Sequence, residues 1–169
     1  MSFSEEDKEF MKLALEEARK AFKKGNVPIG AVLVENNKLI DKAGNSQFNE
    51  DNWASHAEAK LIKENSSIIR KKVKKESSKL TLYTTLEPCL MCFGIIILHR
   101  ISRIVYGCPD PFSGATHINP NNMSAWYNRH WPKIEGGLFK KESYDLMIEY
   151  MKNKEDWKRV LAAFEKMRK

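Results

Sequence analysis

The sequence predicts an α/β fold, a three-layer α/β/α arrangement around a five-stranded mixed sheet. Residues 29–34 are an apolar run of strand length, and Asn36-Asn37 is a pair that favours tight turns, so residues 38–43 are predicted to form the second strand of an antiparallel hairpin. After the hairpin, strand-length runs alternate with stretches of helical periodicity. This alternation predicts a mixed sheet with helices on both of its faces.

The other elements follow from the spacing of apolar residues and from helix start and stop signals. Ser4-x-x-Asp7 is a capping-box pattern, and it predicts a first helix that ends near Gly25. The further strands are predicted at residues 80–85, 103–106 and 137–141. The further helices are predicted at residues 55–65, 88–100, 142–152 and 155–167.

Length and composition indicate one domain. The 169 residues suffice for one sizeable core, so residues 1–169 are expected to form a single domain with a C-terminal helical extension at about 142–169. No apolar run approaches the roughly 20 residues of a membrane span, and the acidic start of the chain lacks the pattern of a signal peptide. Three cysteines argue against a disulfide-stabilised secreted scaffold. A cytoplasmic protein with no membrane partner is therefore expected.

The chain is basic. Its formal net charge of +7 favours an anionic partner, with nucleic acid first among the candidates. Part of the excess lies in residues 70–75, which read Arg-Lys-Lys-Val-Lys-Lys. Lysine-rich segments also keep proteins soluble without binding anything. Charge alone therefore leaves the substrate open.

Two short motifs indicate the chemistry. His56-x-Glu58 is followed downstream by Pro88-Cys89-x-x-Cys92. One histidine and two cysteines bind zinc through a nitrogen and two sulfurs and leave a fourth position open for water. Alone, C-x-x-C is often a structural zinc site or a redox pair, and His-x-Glu is often only the face of a helix. Together and in this order they match the signature of zinc-dependent nucleobase deaminases.

This metal site predicts a hydrolytic deamination. A bound zinc ion lowers the pKa of water and supplies a hydroxide that attacks the amino-bearing carbon of a base. Glu58 is the predicted catalytic proton shuttle, which takes the proton of the water and delivers it to a ring nitrogen and then to the departing amine. The backbone N–H of Ala57 is expected to hydrogen-bond the attacked group. The predicted enzyme is an aminohydrolase.

Both motifs are predicted at helix starts. Ser55-x-x-Glu58 is a capping-box pattern for one helix, and Pro88 suits the first position of the next, which would place Cys89 in its opening turn. The partial positive charge of a helix start favours the thiolate form of a zinc-binding cysteine. Glu58 cannot both cap a helix and face the water on zinc, and catalysis is the favoured role.

The chain resembles the cytidine deaminase-like superfamily and, within it, the bacterial tRNA adenosine deaminases. The matching stretches are residues 27–34, 44–45, 56–59, 82–92, 100–107, 110 and 113–115. The resemblance implies a cytidine deaminase-like fold, conversion of the wobble adenosine of tRNA to inosine, one zinc ion per subunit and a homodimer. The helix at 88–100 is apolar nearly all round, as a subunit contact or a helix sandwiched within the domain would require.

The resemblance also implies a base pocket. Pro28 and Ile29 would form one of its walls, and Leu86 and Glu87 would offer backbone groups to the edge of the base. Ordinary packing at the start of a strand is the alternative role for Pro28 and Ile29.

Two polar positions complete the implied substrate contacts. Asn45 would hydrogen-bond the target base or its ribose, and Asp110 would contact ribose at the mouth of the pocket. Asparagine and aspartate are also common turn residues, which is the alternative for both positions.

Two departures from the tRNA enzymes keep the substrate open. Residues 116–131 form an aromatic-rich insertion, and a C-terminal helix adds Trp157. Deaminases of free nucleobases close their pocket with a C-terminal aromatic segment. The alternative function is therefore a deaminase of a free base or nucleoside such as guanine, adenine or cytosine, and a third is a non-catalytic zinc-bound scaffold, which the intact Glu58 argues against.

Overall fold

The structure, a computed structural model, describes residues 2–75, 77–152 and 154–168 and confirms the predicted fold class. Its five strands form one sheet in the order β2-β1-β3-β4-β5. They are β1 (Gly30–Glu35), β2 (Lys38–Gly44), β3 (Leu80–Leu86), β4 (Arg103–Cys108) and β5 (Lys133–Gly136). β1 is antiparallel to β2 and to β3, whereas β3, β4 and β5 run parallel, so the sheet is mixed as predicted.

Helices cover both faces of this sheet. They are α1 (Glu5–Lys23), α2 (Ala57–Glu64), α3 (Ser66–Lys72), α4 (Leu90–Leu98), α5 (Ala125–Arg129), α6 (Lys140–Met151) and α7 (Lys158–Arg168). Alternate strand residues point to opposite faces, so Val32 and Tyr83 pack with α1 while Leu33 and Leu82 belong to the core that α2 and α4 cover. α6 lies beside α1 and against β4, and α7 packs on α6.

The first helix begins and ends as the sequence predicts. Ser4 and Asp7 form the full capping box, and Gly25 adopts a left-handed conformation beyond the last turn. Gly30 lets this helix approach β1 closely, because an added Cβ there would collide with the carbonyl oxygen of Ala14.

The predicted fifth strand at 137–141 is wrong. The strand runs from Lys133 to Gly136, where Ile134 pairs with Ile104 of β4. Gly137 and Phe139 both have positive φ angles, which turn the chain out of the sheet and into α6. Helices α3 and α5 were not predicted, because one has a single buried residue and the other none, so neither shows an apolar stripe.

A buried charge cluster ties α1 to the sheet. Arg103 of β4 donates to both carboxylate oxygens of Asp7, at 2.6 and 3.0 Å, and Tyr83 donates its hydroxyl to the same carboxylate at 2.7 Å. Arg103 also donates to Glu135 of β5 at 2.6 Å. Although burial opposes it, this set of donors lowers the pKa of Asp7 from 3.8 to about 2.

This cluster predicts a loss of stability in acid. Because the folded protein lowers the pKa of Asp7, the cluster contributes fully above pH 4, and the contribution is lost as the pH falls from about 4 to about 2. We expect Asp7→Asn to lower the free energy of unfolding at pH 7 by about 2 kcal/mol. Breaking a fully buried ion pair costs roughly 3–5 kcal/mol, and the loss here is smaller because the Arg103 side chain is 24% exposed. Urea unfolding between pH 2.5 and 7 measures both effects.

Glu9→Gln is the matched control, because it removes a carboxylate of the same helix that lies in an exposed ion pair with Lys12. It should leave the urea midpoint nearly unchanged. An Asp7→Asn midpoint equal to that of the wild type would contradict the role of the cluster.

Candidate active site

The three predicted metal ligands converge at one point. The Nδ1 atom of His56 lies 3.6 Å from the sulfur of Cys89 and 3.5 Å from the sulfur of Cys92. Zinc bonds of about 2.05 Å to nitrogen and 2.3 Å to sulfur, at a tetrahedral angle, separate nitrogen from sulfur by about 3.6 Å. The donor set and its spacing therefore fit zinc. In the described part of the chain, no other three His, Cys, Asp or Glu side chains group in this way.

The ligands sit at the starts of two helices. His56 is the residue before α2, and Cys89 is the residue before α4, with Cys92 in its first turn. Pro88 therefore precedes α4 instead of occupying its first position, which corrects the predicted start. Both His56 and Cys89 have extended backbone, which turns them toward the space where the two helix starts meet.

The predicted capping box at Ser55 is not formed. The Ser55 hydroxyl donates to Glu50 at 2.6 Å, and no side chain caps α2 through a hydrogen bond at His56. Glu50 also accepts a hydrogen bond from Lys60 at 2.6 Å. The Ser55 hydroxyl is therefore bound to the Glu50–Lys60 ion pair and does not cap α2. Glu58 is thus free of the capping role that competed with catalysis.

Glu58 is placed for proton transfer. It is 3% exposed, and its Oε2 atom has no hydrogen-bond partner among the described residues. Burial raises the pKa of its carboxyl group above the ordinary value. A buried carboxylate oxygen without a partner is costly, so its presence two residues from a metal ligand indicates a group that a substrate or water completes.

The Cys89 sulfur is prepared to act as a ligand. Cys92 and His56 place hydrogen-bond donors against the sulfur and lower the pKa of the Cys89 thiol to about 4, whereas the contact with Cys89 and burial raise the pKa of the Cys92 thiol. Zinc binds thiolates, so a thiol that gives up its proton readily favours metal binding at neutral pH.

A cavity of about 410 Å³ opens at His56. Its lining comes from the strand starts and ends, two loops and the C-terminal helices. The lining residues are Val27, Ile29, Gln47, Phe48, Asp51, Asn52, Trp53, His56, Leu86, Asp110, Phe112, Ser113, Met147, Trp157, Val160 and Phe164. Three predicted substrate residues, Ile29, Leu86 and Asp110, are among them.

The other four predicted substrate residues, Asn45, Pro28, Ala57 and Glu87, are not in this lining. The Asn45 side chain exchanges two hydrogen bonds with Gln47, which does line the cavity. The Glu87 carboxylate accepts hydrogen bonds from the backbone N–H groups of Asp110 and Thr116, and its own N–H donates to Cys108. Glu87 therefore holds the loop that carries Asp110.

Sequence reasoning missed most of the aromatic lining. Phe48 and Trp53 lie in the loop before α2, and Phe112 lies in the loop after β4. Their only sequence signal is that large aromatics occur in polar loop segments. Trp157, in contrast, was noted from the sequence, and with Val160 it forms the side of the cavity that the C-terminal extension supplies.

The aromatic-rich insertion lies elsewhere. Trp126 packs against His130 with a centroid distance of 4.4 Å and lies under Arg100, while Trp131 packs edge-on against Phe93 at 4.9 Å. Within the described residues, no member of the segment 116–131 lines the cavity. Trp131 and Tyr127 of this segment pack against the core cluster that includes Phe93 of α4, away from the cavity.

Comparison with known proteins assigns the family. The family model for the cytidine and deoxycytidylate deaminase zinc-binding region matches residues 4–108, which include His56, Glu58, Cys89 and Cys92. The chain belongs to this deaminase family. Its membership confirms the resemblance seen in the sequence and makes the chain a zinc-dependent hydrolase of the deaminase type.

Individual members of the deaminase family add detail. The chain is 34% identical to the tRNA-specific adenosine deaminase of Bacillus subtilis over 147 residues, which cover 87% of this chain and 89% of that protein. A solved structure from work on A-to-I editing by tRNA:A34 deaminases is 36% identical, has a TM-score of 0.69 and covers 82% of this chain and 98% of that one. Guanine deaminase from Bacillus subtilis is 26% identical, has a TM-score of 0.54 and covers 64% of this chain and 66% of that one.

The site of this deaminase predicts separate roles for ligand and shuttle. His56→Ala should lose zinc and lower the melting temperature, because the metal ties α2 to α4. Glu58→Gln should keep zinc and stability but lose turnover by at least about 100-fold, because the amide cannot carry the proton. Zinc content by atomic emission, melting temperature and released ammonia distinguish the two.

Glu64→Gln, at the end of the same helix and exposed, is the control for a carboxylate lost from α2. It should change none of the three measurements. Turnover by Glu58→Gln at the wild-type rate on any accepted substrate would rule out the shuttle role.

Proposed function

We propose that the chain hydrolyses the amino group of adenosine in tRNA, giving inosine at the wobble position and ammonia. The similarity to tRNA-specific adenosine deaminases over most of both chains supports this substrate. The observation that carries the chemistry is the buried Glu58 carboxylate, which lacks a partner for Oε2 and lies beside the His56-Cys89-Cys92 site. A carboxylate that exchanges protons with a bound substrate or water would account for this arrangement.

His56, Cys89 and Cys92 would hold one zinc ion per chain. When bound, zinc supplies a Lewis acid that makes a water molecule nucleophilic near neutral pH. Glu58 takes a proton from that water as its oxygen adds to the amino-bearing ring carbon, and gives the proton to the neighbouring ring nitrogen. It then carries the second proton of the water to the departing amino group, so that ammonia leaves and a carbonyl remains.

Substrate contacts follow from the lining of the cavity. We assign Ile29 and Leu86 as apolar walls of the base pocket and Asp110 as a contact to ribose, which their position in the lining supports. Pro28 precedes the Ile29 wall, and Ala57 and Glu87 would contribute backbone groups. Asn45 would reach the base or ribose by exchanging its Gln47 partner for the ligand.

A second candidate is a deaminase of a free base or nucleoside. The observation that favours it is the C-terminal side of the cavity, where Trp157, Val160 and Phe164 cover the pocket. Deaminases of free nucleobases use a C-terminal aromatic segment in this way, and the similarity to a guanine deaminase is consistent with it. In the adenosine enzyme proposed first, the same residues would shape the pocket around the target base.

We further propose that two copies associate through the outer face of α4. Leu90 is 65% exposed, Met91 37% and Leu98 56%, which is a large apolar surface for one nine-residue helix. Covering this face with a second copy would remove it from water. The proposed assembly is a homodimer of single-domain chains, each with the extension at about 142–169.

The proposed substrate implies a cytoplasmic location. None of the described helices combines the length and apolar character that crossing a membrane requires.

The proposed substrate predicts a steep dependence on salt. Deamination of tRNA should lose at least about tenfold in kcat/KM between 50 and 200 mM salt, because the binding of phosphates releases counterions. Inosine in tRNA and ammonia from free guanine, adenine, cytosine and their nucleosides should be measured at both salt concentrations. Ammonia release from a free base that is the same at both, with no inosine in tRNA, would replace the proposed function by the second candidate.

The exposed face of α4 predicts a dimer. Light scattering at micromolar concentration should give twice the chain mass for the wild type and one chain mass for Leu98→Lys, because a lysine there would be buried without a partner. Leu39→Lys, at an exposed position of β2, is the matched control and should remain dimeric. A monomeric wild type would refute the assembly.

A further inference from the structure

The mouth of the cavity carries three exposed aromatic side chains. Phe48 is 55% exposed, Trp53 88% and Phe112 58%, and all three line the cavity that contains His56. A single exposed aromatic residue needs no explanation, but three around one opening form an apolar rim that costs free energy in water. A single base bound inside the cavity would leave most of this apolar rim exposed to water.

The loop that carries Phe48 and Trp53 is held in place. The buried side chain of Asn26 accepts hydrogen bonds from the backbone N–H groups of Phe48 and Asn49, at 3.0 and 3.2 Å. Gln47 donates its side-chain amide to the carbonyl oxygen of Trp53 at 3.0 Å. The two rings are therefore presented by an ordered backbone, which lowers the entropic cost of binding against them.

The loop that carries Phe112 is fixed in a similar way. Asp110 accepts a hydrogen bond from the backbone N–H of Phe112 at 2.9 Å, and Glu87 accepts one from the N–H of Asp110 at 3.0 Å. Glu87 is 7% exposed and anchors this loop to the end of the sheet. Both sides of the mouth thus hold their aromatic residues without a contact that would bury them.

We propose that Phe48, Trp53 and Phe112 stack against the nucleobases that flank the target base in a single-stranded loop of RNA. This inference rests on the proposed function. A base that enters the cavity leaves its neighbours at the opening, where each presents a flat apolar face. Stacking on aromatic side chains stabilises such bases by about 1–3 kcal/mol each and tolerates different sequences.

The charges at the mouth are compatible with RNA. The ammonium group of Lys154 lies 5.6 Å from the centre of the Phe48 ring, so a positive charge stands where a phosphate next to a stacked base would pass. The net charge of +7 adds a general attraction. Both rim carboxylates can accept a ribose hydroxyl, because Asp51 is exposed and each oxygen of Asp110 accepts only one hydrogen bond, from Phe112 or from Ser113.

The test uses the zinc-loaded full chain and a synthetic anticodon stem-loop RNA with adenosine at the wobble position. Trp53→Ala should raise the KM for this RNA by about 5- to 150-fold, the range that corresponds to one lost stack. Trp53→Phe should restore most of the loss. Zinc content, melting temperature and the chemical step at saturating RNA should stay within about twofold of the wild type.

Trp126→Ala is the matched control, because it removes a tryptophan that is 39% exposed and does not line the cavity. It should leave the KM unchanged. The ratio of KM values between Trp53→Ala and the wild type should also be the same at 50 and 200 mM salt, since stacking involves no counterion release, whereas Lys154→Ala should lose its effect at the higher concentration.

The outcomes separate the two levels of the proposal. If the wild type forms inosine in the RNA but Trp53→Ala and Phe112→Ala both keep the wild-type KM, the stacking surface is wrong and the proposed function survives. If both variants lose affinity and Trp126→Ala does not, the surface is supported. If the wild type deaminates only free bases, the proposed function fails and the stacking surface fails with it.

Discussion

The meeting of two helix starts at one point is the constraint on which the rest of the site depends. α2 and α4 both begin there, and the residue before each, His56 and Cys89, belongs to the proposed zinc site. Neither helix could shift by one residue without rotating its ligand away, because each residue turns a helix by about 100°. The core packing that fixes α2 and α4 on the sheet therefore also fixes the metal geometry.

Hydrogen bonds from polar side chains hold the loops between the candidate metal site and the mouth of the cavity. Asn26, Glu87 and the Ser55–Glu50 pair each satisfy buried or half-buried groups of a loop. The Ser55–Glu50 hydrogen bond has a second effect, because it removes Ser55 from the capping role and leaves Glu58 free. The same hydrogen bonds of Ser55, Glu50 and Lys60 thus hold the loop and leave the Glu58 carboxylate without a capping role.

The C-terminal extension decides how much of the substrate the cavity encloses. Trp157 packs edge-on against Tyr150 of α6 at 5.7 Å, and Arg168 binds Asp145 at 3.0 Å, so α7 is fastened along α6. This fastening closes one side of the cavity, which Trp157, Val160 and Phe164 line. The rim formed by Phe48, Trp53 and Phe112 remains exposed, which suits the proposed target base that is still attached to its neighbours.

The sequence by itself determined the fold class and singled out the candidate metal ligands and Glu58, because these depend on local spacing: strand and helix periods, a turn pair and two short motifs. Tertiary structure decided the rest. The fifth strand lies at residues 133–136, where it pairs with β4, and not at the predicted 137–141. Phe48, Trp53 and Phe112 line the cavity, and the segment 116–131 does not. These outcomes depend on contacts between residues far apart in the chain, such as Asn26 with Phe48 and Glu87 with Thr116, and local spacing carries no information about them.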